Sequence, residues 1–287
     1  MSPLPTVIVP VFNALEALDA CLASLDRTLA TGQPIHICDD ASTDPRIAGL
    51  LAGWSARTPL AARVERRAGN LGFIGNVNRA LDETAPADVV LLNSDTVTTP
   101  GWLQRIAECA ASDPRIATVT PWSNNAEICS FPRFIEANPP PDDPDRIAAA
   151  AASLDPACPD LPTAVGFCMY LRRAAWEQCG GFDAETFGRG YGEENDFCLR
   201  AEGLGWRHVL GDNAYVVHRG QASFGPLGHG PGGENLARLN ARWPGYNARI
   251  ARFIMADPLR PLRERLIERL EAMIHAAGQL ELPLRER

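Results

Sequence analysis

The stretch Thr6–Asn13, TVIVPVFN, is a run of apolar and mostly β-branched residues that ends at a polar side chain. Residues 6–10 are typical of a strand that is buried on both faces, because polar and apolar side chains do not alternate along it. Residues 14–29 then carry apolar side chains at helical spacing. A buried strand followed by an amphipathic helix predicts an α/β fold built on parallel strands.

The same alternation continues towards residue 96. Further apolar strands are predicted at 34–38, 62–65 and 87–92. A helix is predicted from Pro45, because Asp44 suits the cap and proline suits the first helical position, and another follows the segment NLGFIGNVNRAL at 70–81. Apolar strands separated by helices predict a parallel sheet that is covered by helices on both faces.

Polar side chains follow the predicted strands, at the point where each strand ends. They are Asn13, Asp39, Asp40, Asn70, Asn93, Ser94 and Asp95. Because the carboxyl ends of parallel strands form the ligand crevice of an open α/β sheet, these side chains predict a site for a ligand of nucleotide size.

The pattern changes in the second half of the chain. Residues 131–162 are rich in proline, aspartate and alanine, and we interpret them as an insertion over the sheet with one helix at 145–154. Strands are predicted at 163–171, 206–210 and 214–218, followed by a glycine-rich mobile lid at 219–234.

The last helix is predicted at about 259–280. An apolar stripe runs along it at spacings of three and four residues, which predicts a coiled-coil-like seam or docking onto a partner. The stripe consists of Leu262, Leu266, Leu270, Met273, Ala277 and Leu280.

Composition excludes several classes of protein. The net charge is −8, which argues against a general nucleic-acid binder because such proteins present a basic face. The eight cysteines include no CxxC pair, so zinc-site spacing is missing, and free thiols are expected although an even number leaves disulfides open. We find no signal peptide and no apolar run long enough to span a bilayer, so a cytoplasmic protein is expected.

Residues 188–207, GRGYGEENDFCLRAEGLGWR, place Glu193, Glu194 and Asp196 between a glycine-rich run and a predicted helix. On these residues alone, capping is favoured, with Asn195 or Asp196 as the N-cap, because acids stabilise the positive end of a helix dipole. Catalysis is the alternative interpretation, and one acid can cap a helix while another reacts.

Six segments in this order resemble the family 2 glycosyltransferases over roughly residues 5–225, and especially bacterial rhamnosyltransferase-like members that build surface polysaccharides and glycans. The segments are TVIVPVFN, CDDASTD, NLGFIGNVNRAL, LLNSDT, GGFDAETFGRGYGEENDFCLRAEGLGWR and VVHRGQASFG. The resemblance implies a GT-A fold, an α/β fold with a Rossmann-like, mostly parallel central sheet flanked by helices. It implies a glycosyltransferase domain at 1–225, with a nucleotide-binding half at 1–98 and an acceptor half at 99–225, and then a flexible loop and C-terminal helical extension at 226–287.

The resemblance also implies a donor site and a metal site. Asp95 and His218 would hold Mn²⁺ or Mg²⁺, which neutralises the leaving diphosphate. Asn93 stands where the family motif has an acid, so metal affinity is expected to be weaker. The residues implied to contact the nucleotide, with Asp40 preferred over Asp39 in the acidic pair, are Pro10, Val11, Asn13, Asp39, Asp40, Asn70, Gly72, Asn93 and Ser94.

The implied general base is Glu194, and Asp196 is the alternative because glutamate stands where the family more often has aspartate. The implied reaction is an inverting transfer of a sugar from a nucleoside-diphosphate donor to a hydroxyl of a glycan or lipid-linked acceptor. Membrane attachment would then be peripheral, at the inner face and through partners.

Two other functions are considered. A non-catalytic nucleotide-sugar-binding module is supported by Asn93. A sugar nucleotidyltransferase is disfavoured, because VPVFNALEAL at 9–18 has neither the glycine nor the lysine of a triphosphate loop.

Overall fold

The computed structural model describes residues 4–188, 190–220 and 233–281, with side chains up to residue 276. In that part of the chain, the strands are β1 (Thr6–Val11), β2 (Pro34–Asp39), β3 (Ala61–Arg66), β4 (Val89–Leu92), β5 (Thr96–Thr98), β6 (Ile116–Trp122), β7 (Cys168–Leu171) and β8 (Arg207–His218). The helices are α1 (Leu15–Thr28), α2 (Pro45–Ser55), α3 (Gly72–Glu83), α4 (Trp102–Ser112), α5 (Pro144–Ala152), α6 (Arg173–Cys179), α7 (Ala184–Phe187), α8 (Glu193–Gly203), α9 (Gly233–Arg242), α10 (Tyr246–Ala256) and α11 (Arg260–Glu281).

The strands form one eight-stranded sheet in the order β3-β2-β1-β4-β7-β6-β8-β5. Neighbouring strands from β3 to β4 are parallel, as are β6 and β8, whereas β7 runs antiparallel to both of its neighbours and β5 runs antiparallel to β8. The predicted α/β class and mostly parallel sheet are therefore confirmed.

Two apolar cores cover the two faces of this sheet. Val7, Val9 and Val11 of β1 belong to one core, and the intervening Ile8 belongs to the other. This alternation follows from the strand geometry, in which successive side chains point to opposite faces. Because both faces are buried, all four residues are apolar, which is why the sequence shows an uninterrupted run.

Several boundaries differ from those predicted. Of the strand expected at 163–171, only the last four residues form a strand, β7. The two strands expected at 206–210 and 214–218 form the single strand β8, whose register against β6 is irregular near Trp122. Helix α8 begins at Glu193 behind Gly192, which has a φ of 104° and serves as the N-cap. The prediction of a cap at Asn195 or Asp196 is therefore wrong, because a left-handed glycine starts the helix before these residues.

Helix α11 packs against α5 of its own chain. Leu266 is fully buried, and Leu262, Leu270 and Met273 pack against the same core. Over these residues, the apolar stripe therefore packs against the protein's own core. The side chains of Ala277 and Leu280 lie outside the described residues, as does most of the predicted lid, at 221–232. Association through this helix stays a prediction.

One disulfide joins Cys109 of α4 to Cys158, so the expectation of free thiols is wrong for this pair. The other six cysteines are free, as expected. Among the described helices, none combines the length and the apolar character needed to cross a membrane.

Candidate active site

The predicted nucleotide site lies where β1 and β2 end side by side. Their parallel register places Pro10 opposite Cys38 and Val11 opposite Asp39. Oδ1 of Asn13 accepts hydrogen bonds from the backbone N–H groups of Thr43 and Asp44, each at 2.9 Å. Asn13 therefore joins the loops that follow the two strands, and it does not cap α1, whose N-cap is Ala14.

Asp39 and Asp40 are both buried, but they use their carboxylates differently. Asp40 Oδ1 accepts a hydrogen bond of 2.7 Å from the backbone N–H of Leu71, and burial raises the pKa of this carboxyl. Asp39 Oδ1 accepts from the N–H of Ser42 at 2.9 Å, while its Oδ2 is buried without a hydrogen-bond partner. Asp40 thus closes a loop of the protein, whereas Oδ2 of Asp39 lies 3.7 Å from Nε of Arg66 and makes no hydrogen bond with the described residues.

Asn70 and Gly72 complete this edge of the sheet. The side-chain amide of Asn70 donates to the backbone carbonyl of Asp40 at 3.1 Å, and its Oδ1 accepts from the N–H of Gly72 at 3.2 Å. Gly72 has a φ of 73°, a left-handed conformation in which a side chain would be strained. This position therefore favours glycine for the turn into α3.

Asp95 and His218 are brought together by the antiparallel pairing of β5 with β8. Nε2 of His218 lies 3.4 Å from Oδ1 of Asp95. Nδ1 lies 2.7 Å from the carbonyl oxygen of Asn125, which can only accept, so Nδ1 carries a proton and Nε2 is the nitrogen that faces Asp95. Two atoms that bind one cation at about 2.1 Å can lie no more than about 4.2 Å apart. The pair fits a divalent cation, with the backbone carbonyl orienting the imidazole.

The surroundings of His218 hold the ring in place. Asn124 Oδ1 accepts from the N–H of His218 at 2.9 Å, and Asn124 Nδ2 donates to the carbonyl oxygen of His218 at 3.0 Å. The ring of Phe167 stacks on the imidazole with the centroids 5.1 Å apart, and Asn93 donates its N–H to the carbonyl of Phe167 at 2.8 Å. Ser94 is buried beside Asn93. Burial opposes a charge on the ring, but the hydrogen bond to Asp95 and its charge raise the pKa of His218.

Glu193 and Glu194 are the first two residues of α8. Glu193 is buried and Glu194 is partly buried, and Oε2 of each carboxyl is buried with no hydrogen-bond partner. Burial raises the pKa of both groups, and the charge of Glu194 raises the pKa of Glu193 further, well above its usual range. A hydrogen bond between the two side chains raises the pKa of Glu193 and lowers that of Glu194. Burial and mutual charge therefore disfavour ionisation of both carboxyls at once.

Asp196, the alternative base, has a different environment. Its side chain is fully buried. Oδ2 accepts from Arg200 Nε at 2.8 Å, and Oδ1 accepts from Arg242 Nη1 at 3.0 Å and from Trp243 Nε1 at 2.8 Å. The carboxylate is therefore surrounded by protein donors that come from α8 and from the C-terminal helices.

Tyr191 lies near both the Glu193–Glu194 pair and Asp95. Burial raises the pKa of its phenol, and the charges of Glu194, Glu193 and Asp95 raise it further. All three carboxylates therefore lie close enough to this hydroxyl group to act on its pKa.

Glu127 is a further acidic residue near Glu194, and the sequence did not indicate its place in the candidate site. It lies in a short 3₁₀ turn (Glu127–Cys129) after β6, with a φ of 47°. Burial raises the pKa of Glu194, and the charge of Glu127 raises it further. A single acid in a proline-rich connection has no local pattern that would predict this position.

A second group of metal-binding side chains, His36, Glu65 and Glu83, lies on β2, β3 and the end of α3. Arg67 Nη1 donates to Oε1 of both glutamates, at 2.8 and 2.9 Å. Burial, followed by the charge of Arg63, lowers the pKa of His36. Arg79 also donates to Oε1 of both glutamates, so we assign this group as an ion-pair network.

Comparison with known proteins identifies the family. Residues 6–180 match the sequence profile of Glycosyl transferase family 2. The chain is 25% identical over 257 residues to the N-acetylglucosaminyl-diphospho-decaprenol L-rhamnosyltransferase of Mycobacterium tuberculosis, covering 80% of this chain and 81% of that protein.

Solved structures share the fold. The mannosyltransferase PcManGT from Pyrobaculum calidifontis, solved with GDP-Man and Mn²⁺, has a TM-score of 0.53 at 17% identity and covers 98% of this chain and 81% of its own. GalNAc-T7, solved with UDP, GalNAc and Mn²⁺, has a TM-score of 0.60 at 13% identity, with 76% of this chain and 44% of that chain covered. S. aureus TarS 1-349 with UDP-GlcNAc has a TM-score of 0.55 at 18% identity, with 77% and 60% covered, so this chain spans only part of the latter two proteins. The chain belongs to glycosyl transferase family 2, and its fold is the GT-A fold.

Proposed function

We propose that the protein is an inverting, metal-dependent glycosyltransferase, which moves a sugar from a nucleoside-diphosphate donor to a hydroxyl of a glycan or lipid-linked acceptor. The observation that carries the proposal is that the charges of Glu194 and Asp95 both raise the pKa of Tyr191, from which we infer that the two groups line one cleft. A carboxylate with a raised pKa suits proton removal, and a carboxylate–imidazole pair suits a cation at the leaving group.

In this mechanism, Glu194 removes the proton from the acceptor hydroxyl as its oxygen attacks the anomeric carbon. Glu193 keeps its proton and donates a hydrogen bond to Glu194, which holds that carboxylate ionised and oriented. Asp95 and His218 would hold Mn²⁺ or Mg²⁺, which when bound neutralises the departing diphosphate. Direct displacement inverts the anomeric configuration and needs no covalent intermediate.

The donor is held at the ends of β1 and β2. Asp39 is the acceptor we propose for a base or ribose donor, because its buried Oδ2 makes no hydrogen bond with the described residues and has only Arg66 Nε nearby, at 3.7 Å. Asp40, Asn13, Asn70 and Gly72 shape the loops. A buried acceptor that makes no hydrogen bond lowers the free energy of unfolding, and a bound nucleotide would supply the missing hydrogen bond. Pro10, Val11, Asn93 and Ser94 line the same edge of the sheet.

The named substrates of the M. tuberculosis relative provide the first candidates. We propose an L-rhamnosyl or related nucleoside-diphosphate sugar as the donor, and an N-acetylglucosaminyl diphospholipid as the acceptor. A lipid-linked acceptor would place the protein at the inner face of the membrane, in the synthesis of surface polysaccharide.

Thermal unfolding with UDP, GDP and dTDP, each with and without Mn²⁺, tests the proposal. One nucleotide is expected to raise the free energy of unfolding by about 2.7 kcal/mol at a hundredfold excess over its Kd, because it binds only the folded state. The Asp95→Asn variant is expected to lose the part of this effect that depends on Mn²⁺. Absence of stabilisation by any of the nucleotides would contradict the proposed donor class.

The pH dependence of kcat/KM is expected to report on Glu127. The base must be ionised, so activity rises with pH as Glu194 loses its proton, and the charge of Glu127 raises the pKa of Glu194. Glu127→Gln removes this repulsion, so the acidic limb is expected to move to lower pH. Glu136→Gln is the matched control, because Glu136 is exposed on the same connection and pairs with Arg133. An unchanged limb in Glu127→Gln would show that Glu127 does not act on the base.

A further inference from the structure

The loop that precedes Glu194 has an unusual backbone. Gly188, Gly190, Tyr191 and Gly192 have φ values of 62°, 135°, 71° and 104°. Glycine adopts such conformations readily, but a left-handed tyrosine is strained and persists only where its surroundings determine it. Something outside the loop must therefore hold it.

Asn235 of α9 makes that contact. Its side-chain amide nitrogen donates to the carbonyl oxygen of Phe187 at 2.8 Å and to that of Gly190 at 2.7 Å. One carboxamide thus bridges the two sides of the turn that leads to Tyr191. A Cβ atom on Gly192 would lie 3.1 Å from the ring of Phe187 and 3.8 Å from the carbonyl oxygen of Asn235, so the loop and α9 are closely packed.

The same C-terminal helices also contact α8 directly. Arg242 and Trp243 donate to Asp196, at 3.0 and 2.8 Å. The hydroxyl of Tyr246 donates to Oδ1 of Asn195 at 2.9 Å. These partners lie on both residues that follow Glu194, so the C-terminal helices fix the chain before and after the acidic pair.

We propose that Asn235 is a positioning residue for Glu194, which it serves by holding Phe187 and Gly190 in the positions that present this carboxylate to the acceptor. Trp243 acts in the same way from the other side, through Asp196. The inference rests on the proposed function, because it assigns these residues to the reaction of the same cleft.

Asn235→Ala tests the inference, with Asn240→Ala as the matched control. Asn240 lies on the same helix and donates only to the carbonyl of Leu236. Turnover is measured with the donor nucleotide identified by thermal unfolding and with a short-chain N-acetylglucosaminyl diphospholipid as acceptor. Asn235→Ala is expected to lower kcat by about 10- to 100-fold, because small misplacements of a catalytic group have effects of this size. Nucleotide stabilisation is expected to be unchanged, and Tm to fall by no more than about 4 °C.

Two further variants separate positioning from folding. Asn235→Asp keeps the shape of the side chain but offers no N–H to the two carbonyls, so it is expected to be at least as impaired as Asn235→Ala. Trp243→Phe keeps an aromatic ring but removes the indole N–H that donates to Asp196, and it is expected to lower kcat by about 3- to 10-fold.

The outcomes distinguish this inference from the proposed function. If wild-type protein binds no donor nucleotide or shows no Glu194-dependent turnover, the proposed function fails. If wild-type protein turns over and Asn235→Ala does so at the same kcat, or loses nucleotide stabilisation and Tm together with kcat, the positioning role is overturned.

Discussion

Glu194→Gln is expected to lower kcat by about 10²- to 10⁴-fold, the usual contribution of a positioned general base. Glutamine has nearly the same shape, so donor binding and the packing of α8 are expected to remain. The amide cannot take a proton from the acceptor hydroxyl, and Glu193, which keeps its proton in the proposed mechanism, cannot replace it. Sugar transfer is measured by release of the nucleoside diphosphate, and donor binding by thermal unfolding in parallel.

Glu202→Gln is the control for this substitution. Glu202 lies on the same helix and pairs with Arg249 at the surface. Its replacement is expected to leave kcat unchanged. Full turnover by Glu194→Gln would remove Glu194 from the mechanism, and the binding-module function would follow only if wild-type protein also bound donor without transferring sugar.

Asp196→Ala is expected to lower the free energy of unfolding by about 3 kcal/mol, at the lower end of what breaking a buried ion pair costs. The substitution removes the shared acceptor of Arg200, Arg242 and Trp243. The two guanidinium groups are partly exposed and can recover some hydration, which limits the effect. Urea unfolding measures it.

Asp145→Ala is the matched control, because Asp145 pairs with Arg27 where both side chains are exposed. Exposed pairs contribute about 0–1 kcal/mol, so little change is expected. Asp196→Asn then separates the two candidate bases. If it abolishes transfer while stability and donor binding stay at the wild-type level, Asp196 is the base and the assignment to Glu194 is wrong.

The sequence predicted the first half of the fold well, because each β–α unit there is a local pattern. The buried run at Thr6 and the cap at Asp44 both correspond to observed elements, and Asp44 accepts from the N–H of Arg46 at 2.9 Å. The second half was less predictable. Strand β8 is longer than either predicted strand, because its pairing with β6 across an irregular register keeps the backbone extended through 211–213.

The candidate site was predictable where residues follow strand ends, and not where distant segments meet. Asp95 and His218 lie at the ends of two strands, and the structure brings them within 3.4 Å. The buried acceptor on Asp39 and the saturated carboxylate of Asp196 depend on partners that no local pattern specifies. Their assignment as donor contact and structural residue therefore needed the tertiary structure, as did Asn235.

The contact between Asp196 and the C-terminal helices has a consequence for recombination between relatives. The family profile ends at residue 180, but the residues that hold α8 lie as far along the chain as Tyr246. In a chimera joined at residue 180, the acidic loop and the helices that hold it would both come from the same parent. A chimera joined between α8 and α9 would combine the loop of one parent with the helices of another, so the unit that can be exchanged intact extends beyond the segment that the family profile matches.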